Sequence, residues 1–552
     1  MSPSMLVAAG ATVALVAALM ASWTRPAPGL FRHPAVRGAA ALFAIAVAVR
    51  GVAVRPTLVH ADVVAPMLVD CVLQFPEPCA NRGQTYGAYG FWALGGLTRL
   101  LGHDLPAVFR AMAIVGAINL ALLAVLAGRL SGSPYAALLA VAVTGTNPAL
   151  MRVAASEDMH NLALGLGLLA FIAIDVFAVT RRAAPLLAAV LALGLLVHTR
   201  QTFYVFAPGA FLLALARGGR GLWRSPRFWI AGGATAAVLA ARVAGGQGAE
   251  SVLANMAAIL LQPGLVPEVL SRHALFDVAR FGPLPLLTVA ALIWACATRG
   301  MPRAMAVVFA VNFVVTYPCG MPSPGVELAQ RLSAIALALV LVAMGGAAFL
   351  ERWVPPASRA RVGLVLAGVL FALPPFLPGW RMVQAISPVH REYLAVEAAA
   401  AALPPELTLV KLATPDSALA GYARYAGLLE RSGRRVRVAP VAELAASPRP
   451  WIVLEDIECW TYSFQDLAGG KRQPSEGPGR AIRWDQVLFA HQRSPLRPPP
   501  GPRPECRPFV GDDTAIGPQS VLTDPDDDPP FLFYSSAAVP VRFHRLDAVP
   551  GP

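Results

Sequence analysis

The chain has 552 residues, of which 56% are hydrophobic and 14% charged, and its mean hydropathy is +0.57. These values exclude an ordinary soluble globular protein and predict a multi-pass membrane protein. The net charge of +13 does not indicate a nucleic-acid-binding protein, because the arginines lie in short gaps between apolar runs, where they set membrane topology. A transmembrane β-barrel is excluded as well, since the sequence lacks a series of alternating strands of about ten residues.

The first two apolar runs fix the predicted orientation. No Lys or Arg precedes the run Met5–Met20, so we interpret it as a retained helix with an outward N-terminus rather than as a signal peptide. The basic gap Arg25–Arg37 then lies inside, a second helix follows at about Gly38–Val54, and the next loop lies outside. Later gaps alternate between basic and acidic, which agrees with this orientation because short basic loops lie in the cytoplasm.

Ten further runs are predicted as membrane helices, although several are shorter than the roughly 20 apolar residues that cross a bilayer. They lie at about Ala107–Ala127, Tyr135–Leu150, Leu162–Val179, Ala184–Leu196, Phe203–Ala216, Phe228–Ala241, Leu284–Ala297, Ala304–Val315, Leu332–Leu350 and Val362–Leu377. The predicted fold is thus an α-helical polytopic membrane domain of about twelve helices over residues 1–379, with an outer first loop at 56–106. In that loop, the amphipathic segment TYGAYGFWALGGLTRLLG is predicted to lie along the membrane surface.

From about Trp380 the composition changes to that of a soluble domain. The segments TLVKLA, DSALAGYARYAGLLERSG, RRVRVAP and PWIVLED predict a strand, a helix and two strands, and FLFYSS with VPVRFHRL predicts a closing hairpin. We therefore predict a small extracytoplasmic α/β domain over residues 380–552. Its acidic run DPDDDPP lacks the glycine and distal glutamate of a calcium loop and is interpreted as a solvated turn.

The placement of the cysteines agrees with this topology. Cys71 and Cys79 share the first outer loop, and Cys459 and Cys506 share the C-terminal domain. Both pairs would face an oxidising compartment, so we predict one disulfide within each pair.

The first loop carries the first candidate for chemistry. It holds Asp62, Asp70, Glu77 and Asp104 in a chain otherwise poor in acids. Asp62 lies a few residues after a predicted membrane helix, where a carboxylate can meet a lipid headgroup while the lipid tail stays in hydrocarbon. We therefore expect Asp62 to take part in catalysis.

A second acidic segment, MRVAASEDMHN, opens the helix predicted at about Leu162 on its outer side. Ser156 can cap this helix, and Glu157 and Asp158 suit the positive end of its dipole, so a purely structural role is open for both acids. The alternative is that this acidic pair faces the first loop across a functional cleft.

The segment LLVHTRQTFY places His198 and Arg200 at the outer end of the next helix, where the positive-inside bias disfavours arginine. The expected partner of Arg200 is an anion, either a lipid phosphate, which guanidinium binds bidentately, or an acid of the MRVAASEDMHN segment. His60 and His160 are interpreted as simple hydrogen-bonding residues rather than metal ligands.

Several features occur together in order along residues 38–220. These are an acid after an early helix, the surface segment, the helix PAVFRAMAIVGAINLALLAVLAGRL, and the segments NPALMRVAASEDMHNLALGLGLLA and LGLLVHTRQTFYVFAPGAFLLA. This order resembles the GT-C membrane glycosyltransferases, which include protein mannosyltransferase-like and aminoarabinose transferase-like enzymes that take sugars from polyprenyl phosphate. An outer C-terminal domain is also common among these enzymes.

The resemblance implies roles for the candidate residues. Asp62 matches the first-loop acid, which is a general base on the acceptor hydroxyl or a metal ligand. Glu157 or Asp158 matches the second-loop acid, so both are assigned to the catalytic site with Asp62. Arg200 matches a basic residue near the donor phosphate and is assigned to substrate binding.

Two further residues of the first and later loops, His198 and Tyr86, are also assigned to substrate binding. The sequence departs from the family pattern in one respect. Relatives often have an Asp-Glu pair in the first loop, whereas Val63 follows Asp62 here. Whether Asp70 supplies a second carboxylate stays open.

The reaction implied is an inverting transfer of a sugar from polyprenyl phosphate to a cell-envelope glycan, lipid or protein acceptor outside the inner membrane. It requires a base for the acceptor proton and positive charge for the leaving phosphate, roles that suit Asp62 and Arg200. A divalent cation, Mg or Mn, bound by Asp62 with Glu157 or Asp158, is a possible addition to or replacement for Arg200.

Two other classes of protein are alternatives, a polytopic transporter or lipid flippase and a catalytically inactive GT-C-like scaffold. Against transport, matching halves with glycine- or proline-broken helices are not found. Asp175 is an exception among the acids because it lies within a predicted span, near its inner end, where proximity to Arg181 and Arg182 explains it as well as a proton relay does.

Overall fold

The computed structural model describes residues 3–22, 30–59, 64–77, 87–244, 281–316, 331–411, 425–455, 515–522 and 539–547. In chain order the helices are α1 (Pro3–Ser22), α2 (Pro34–Ala53), α3 (Val64–Leu73), α4 (Ala88–Leu101), α5 (Leu105–Ser131), α6 (Pro134–Gly145), α7 (Pro148–Ala154), α8 (His160–Thr180), α9 (Ala183–Val197), α10 (Phe206–Gly218), α11 (Arg220–Trp223), α12 (Pro226–Ala244), α13 (Leu284–Ala297), α14 (Met301–Thr316), α15 (Leu332–Trp353), α16 (Pro356–Ala372), α17 (Arg381–Gln384), α18 (Pro388–Ala399) and α19 (Ala426–Arg431). The strands are β1 (Glu406–Lys411), β2 (Arg435–Pro440), β3 (Trp451–Glu455), β4 (Ala515–Leu522) and β5 (Val539–Leu546).

All of the segments predicted as membrane helices are helical. Among the described residues, five helices are long and apolar enough to cross a membrane, or six if the bent pair α6 and α7 is one span, and the shorter apolar helices have 10–17 residues. Several apolar helices confirm a multi-pass membrane protein. The number of twelve spans stays a prediction.

A sharp bend separates α6 from α7, where the sequence predicted one continuous run. The two helices meet at 69°. Asn147 caps α7 with its side-chain oxygen, and Pro148 cannot continue the preceding helix because it lacks an N–H. The break frees carbonyls at the end of α6, and Arg50 of α2 binds two of them, donating to Gly145 O at 3.1 Å and Thr144 O at 2.9 Å. A cation at a helix C-terminus is favoured by the helix dipole.

The helices around α8 form the centre of the membrane domain. Helix α8 packs against α5, α9 and α10. A polar link within this apolar core joins α5 to α8, because the amide of Asn119 donates to Asn161 O and Oδ1, both at 2.7 Å. These bonds satisfy polar groups that would otherwise be costly in hydrocarbon.

One buried acid at the other end of α8 has different partners from those expected. Asp175 pairs with Arg129 at 2.7 Å and with Arg217 at 3.0 Å. The predicted neighbours Arg181 and Arg182 are not these partners. The pairing neutralises Asp175 and ties the ends of α5, α8 and α10 together.

The C-terminal sheet has the strand order β2-β1-β3-β5-β4, with β1 parallel to β2 and β3, and β5 antiparallel to β3 and β4. The predicted strands at β1, β2, β3 and β5 are confirmed. The predicted hairpin partner of β5, FLFYSS, lies outside the described residues; in the structure β3 and β4 occupy the two edges of β5. Strand β4 was missed because Gly517 and Pro518 interrupt it, and a register shift follows there.

The C-terminal domain packs on the helices of the first loop. One buried apolar cluster contains Leu68 and Val72 of α3, Phe91 of α4, Tyr393 of α18 and Leu407 of β1. The surface segment forms α4, whose 14 residues are too few to cross a hydrocarbon core. Its position relative to the membrane stays a prediction.

Cys71 of α3 is disulfide-bonded. Its predicted partner Cys79, and the predicted pair Cys459 and Cys506, lie outside the described residues. The pairings therefore stay predictions.

Candidate functional site

A buried line of three side chains lies where the start of α8 meets the end of α9. His160 Nδ1 is 2.5 Å from Asp158 Oδ1, and Arg200 Nε donates to His160 Nε2 at 3.2 Å. Asp158 and His160 are fully buried, and Arg200 is 6% exposed. Because arginine only donates hydrogen bonds, Nε2 accepts, and Nδ1 carries the proton of a neutral imidazole and donates it to Asp158. The carboxylate thereby orients the ring, and the ring orients the guanidinium.

The local sequence explains this line. Asp158 Oδ1 also accepts from the backbone N–H of His160 at 2.9 Å, as a carboxylate at a helix N-terminus does. The predicted cap by Ser156 is wrong, because its hydroxyl donates to Val153 O at 2.9 Å and accepts from the N–H of Asp158. Asp158 therefore has a structural role at the start of α8, and its role in a functional cleft stays a prediction.

Glu157 contacts the first loop directly. Both of its carboxylate oxygens accept from the backbone N–H of Val59, at 3.1 and 3.0 Å, and its side chain is fully buried. Val59 lies three residues before Asp62. Asp62 itself lies outside the described residues, so Glu157 positions the backbone that leads to it.

Arg152 ties the same part of the first loop to two other segments. Its Nη2 donates to Arg55 O at 2.7 Å and Ala155 O at 3.0 Å, and its Nη1 donates to Ala385 O at 3.3 Å. The side chain is 2% exposed, and an arginine is rarely buried without partners of this kind. The start of the first loop, α7 and the start of the C-terminal domain therefore meet at the buried guanidinium of Arg152.

A second set of polar contacts joins Thr57 to the C-terminal domain. The N–H of Ser387 donates to Thr57 Oγ1 at 2.8 Å, and His390 Nδ1 lies 3.2 Å from the same oxygen. Burial lowers the pKa of His390 to about 4, and the charge of Arg152 acts in the same direction while that of Glu157 opposes it. His390 is therefore neutral near pH 7 and can share a hydrogen bond with the threonine.

The start of α4 lies against the end of α9. The N–H of Gly87 donates to Thr199 O, and that of Tyr89 donates to His198 O, both at 3.1 Å. A Cβ atom on Gly87 would lie 1.8 Å from His198 O, so only glycine fits here. The His198 side chain is exposed at the end of α9. Tyr86, which precedes this contact, lies outside the described residues.

Asp70 is not brought to this site. It is buried and pairs with Arg431 of α19 at 2.7 Å, and the same guanidinium lies 3.2 Å from the Tyr393 hydroxyl. Burial raises the pKa of Tyr393 to about 12, so the phenol stays neutral. The structure thus answers the open question about Asp70, because this carboxylate joins the first loop to the C-terminal domain.

The described residues contain no group of three His, Cys, Asp or Glu side chains placed to hold a metal ion. In addition, both ring nitrogens of His160 are hydrogen-bonded. A cation bound by Asp62 with Glu157 or Asp158 stays a prediction, since Asp62 lies outside the described residues.

The sequence identified Glu157, Asp158 and Arg200 but missed the ring between the last two. The sequence contained a signal for this contact. Asp158 lies two residues before His160 at the start of α8, a spacing that lets the two side chains meet. Arg152 lies in the same MRVAASEDMHN segment and was passed over. Thr57 and His390 are 333 residues apart, and no spacing in the sequence indicates their contact.

Residues 87–244 match the sequence model of the family described as dolichyl-phosphate-mannose-protein mannosyltransferase. This match confirms the GT-C resemblance. The predicted enzyme class, a membrane glycosyltransferase, is confirmed with it. The matched range contains Glu157, Asp158, His160 and Arg200 and ends with α12.

Two crystal structures of ArnT from Cupriavidus metallidurans are also similar to the chain. The apo structure has 13% sequence identity and a TM-score of 0.48, and the match covers 75% of this chain and 92% of ArnT. The structure bound to undecaprenyl phosphate has 14% identity and a TM-score of 0.46 with the same coverage. Similarity at this level does not establish a shared substrate. No curated protein matches the chain.

Proposed function

We propose that the chain transfers a sugar from a polyprenyl-phosphate donor to an acceptor hydroxyl on the extracytoplasmic face of the inner membrane. The observation that carries the proposal is the buried Asp158–His160–Arg200 line, which lies inside the range matched by a family whose name specifies a dolichyl-phosphate sugar. The line holds the Arg200 guanidinium where the apolar helix α8 begins and the apolar helix α9 ends. A phosphate whose lipid tail remains in hydrocarbon suits that position.

The proposed chemistry is a single displacement at the anomeric carbon. The acceptor oxygen forms a bond to that carbon while the bond to the phosphate oxygen breaks, and the leaving phosphate keeps the electron pair. Asp62 takes the acceptor proton, and Arg200 stabilises the negative charge that develops on the phosphate. One such displacement inverts the anomeric configuration.

Two acids then have positioning roles in this proposal. Asp158 and His160 fix the direction of the Arg200 guanidinium, and Glu157 fixes the backbone before Asp62 through Val59. A divalent cation held by Asp62 with Asp158 or Glu157 would supply further positive charge at the phosphate. His198 lies at the same end of α9, and His198 and Tyr86 are proposed to contact the sugar.

The proposed orientation has two supports. Cys71 of the first loop is disulfide-bonded, which is typical of an oxidising compartment. The C-terminal domain is joined to α3 through Asp70 and Arg431, so it lies on the same side as this loop. Both are therefore proposed to be extracytoplasmic, in agreement with the basic gaps between the helices.

The test is transfer from a panel of radiolabelled polyprenyl-phosphate sugars in membranes, with and without EDTA followed by Mg or Mn. Asp62→Asn should abolish transfer while the protein remains inserted. Asp104→Asn is the matched control, because Asp104 caps α5 and asparagine caps a helix equally well. Full activity of Asp62→Asn would remove Asp62 from the mechanism, and transport of a donor lipid without transfer would favour a flippase.

A further inference from the structure

An apolar cavity of about 220 Å³ lies among helices α8, α9, α10 and α12. Its wall on α12 extends from Phe228 to Leu239, a separation of eleven residues that corresponds to a rise of about 16 Å along the helix. That length is roughly half of the ~30 Å hydrocarbon core. On α12 the cavity begins two residues after the start of the helix and extends from that end for about half the thickness of the hydrocarbon core.

The lining of this cavity suits hydrocarbon. Of the lining residues that the structure describes, only Thr235 has a polar side chain, and its hydroxyl is satisfied by Ala231 O at 2.9 Å. An apolar cavity of this kind does not hold water. Its volume is also below the ~300–1,000 Å³ of sites that take drug-sized ligands, so a single flexible chain fits better than a headgroup.

Two tryptophans continue the wall of the cavity at the end of the bundle opposite Arg200. Phe211 lines the cavity, and its ring lies 5.6 Å from that of Trp229, which in turn lies 5.1 Å from that of Trp223. Trp229 Nε1 donates to Trp223 O at 2.9 Å, which fixes the pair. Both rings are partly exposed, at 43% and 53%. Tryptophans with this exposure are typical of the boundary between lipid tails and headgroups.

Positive charge surrounds this tryptophan pair. The segment RGGRGLWRSPRFW, residues 217–229, contains arginines and no acid. Arg220, Arg224 and Arg227 are exposed. Topology alone explains arginines at this end of the helices. It does not explain why they border an open apolar cavity whose aromatic wall reaches the interface.

We propose that this surface binds one anionic phospholipid, independently of the proposed transfer reaction. The phosphate binds Arg224 and Arg227 beside the tryptophan pair, and one acyl chain occupies the cavity. Guanidinium groups bind phosphate through paired hydrogen bonds, and each cation near a membrane surface favours the binding of anionic lipids. The site lies at the end of the bundle opposite the Asp158–His160–Arg200 line.

The test counts phosphatidylglycerol or phosphatidylcholine bound to the delipidated full chain by native mass spectrometry. The native chain should retain one phosphatidylglycerol in preference to phosphatidylcholine. Gly232→Leu fills the cavity and should weaken binding at least tenfold, whereas Gly233→Leu, one residue along α12 and outside the lining, should bind normally. Neither glycine has a heavy atom within 4 Å of an added Cβ, so both variants should fold.

The charge is tested separately. Arg224→Gln combined with Arg227→Gln should remove the preference for phosphatidylglycerol. Equal retention by Gly232→Leu and Gly233→Leu would overturn the proposal. So would stoichiometric displacement of phosphatidylglycerol by undecaprenyl phosphate, because the cavity would then belong to a polyprenyl chain. If Gly232→Leu fails to fold, Ala236→Leu fills the same cavity.

Discussion

The role of His160 leads to a prediction that separates its two hydrogen bonds. Replacing it with asparagine keeps a donor near the position of Nδ1, facing Asp158, but removes the acceptor for Arg200. Replacing it with glutamine keeps an acceptor near the position of Nε2, facing Arg200, but loses the bond to Asp158. If His160 acts by directing Arg200, the asparagine variant should be the more impaired of the two.

The magnitude follows from burial. Asp158, His160 and Arg200 are almost inaccessible to water, so a lost partner costs about 1–3 kcal/mol. If that loss appears in the transition state, where charge develops on the leaving phosphate, it corresponds to a roughly 5- to 150-fold fall in kcat. The glutamine variant should lose less than about fivefold.

The assay measures the initial rate of sugar transfer from the polyprenyl-phosphate donor that the native protein uses in the panel described above. Both kcat and KM are measured for each variant. A loss confined to kcat indicates stabilisation of the transition state. Gel filtration in detergent and thermal unfolding check that the variants fold. Equal rates in both variants, or a glutamine variant worse than the asparagine variant, would refute the role of His160 as a positioning residue for Arg200.

Three further predictions concern other parts of the structure. Asp70→Asn should lower the free energy of unfolding by about 2–3 kcal/mol. This is less than the ~3–5 kcal/mol of a fully buried pair, because Arg431 is 27% exposed. In a double-mutant cycle with Arg431→Gln, additive effects on the free energy of unfolding would contradict the ion pair. Gly87→Ala should reduce transfer at least tenfold, since its Cβ meets a backbone carbonyl at 1.8 Å, whereas Gly96→Ala, with its nearest contact at 3.7 Å, should keep activity. The pKa of His390 is about 4 in the folded protein and 6.5 for a free histidine. The unfolded state therefore binds more protons between pH 6.5 and pH 4. The free energy of unfolding should fall by about 3 kcal/mol as the pH drops from 7 to 4. Thermal unfolding of His390→Asn should lack this part of the pH dependence, and an unchanged slope would contradict it.

The membrane helices could be predicted because long apolar runs have few alternative structures in lipid. The bend between α6 and α7 was missed because the apolar run continues past it. Asn147 and Pro148 are the local signal for the break, but composition averaged over a window hides them. Strand β4 was missed for a related reason, since Gly517 and Pro518 lower its strand propensity and only pairing with β5 makes it a strand.

The candidate site could be predicted only in part. Unusual charges near membrane ends drew attention to Glu157, Asp158 and Arg200, because acids and arginines are costly there. The sequence did not show which of them contact one another. Arg200 reaches Asp158 through His160, whereas Glu157 reaches the first loop. Those differences depend on how α8 and α9 pack, which no local pattern records.

The bend between α6 and α7 has a consequence for how the first loop can move. Arg50 ties α2 to the broken end of α6, and five residues later Arg152 holds the backbone of Arg55. Glu157 then holds Val59. The backbone is thus anchored at successive points up to Val59, so the broken pair α6 and α7 fixes the start of the first loop to within three residues of the proposed base Asp62.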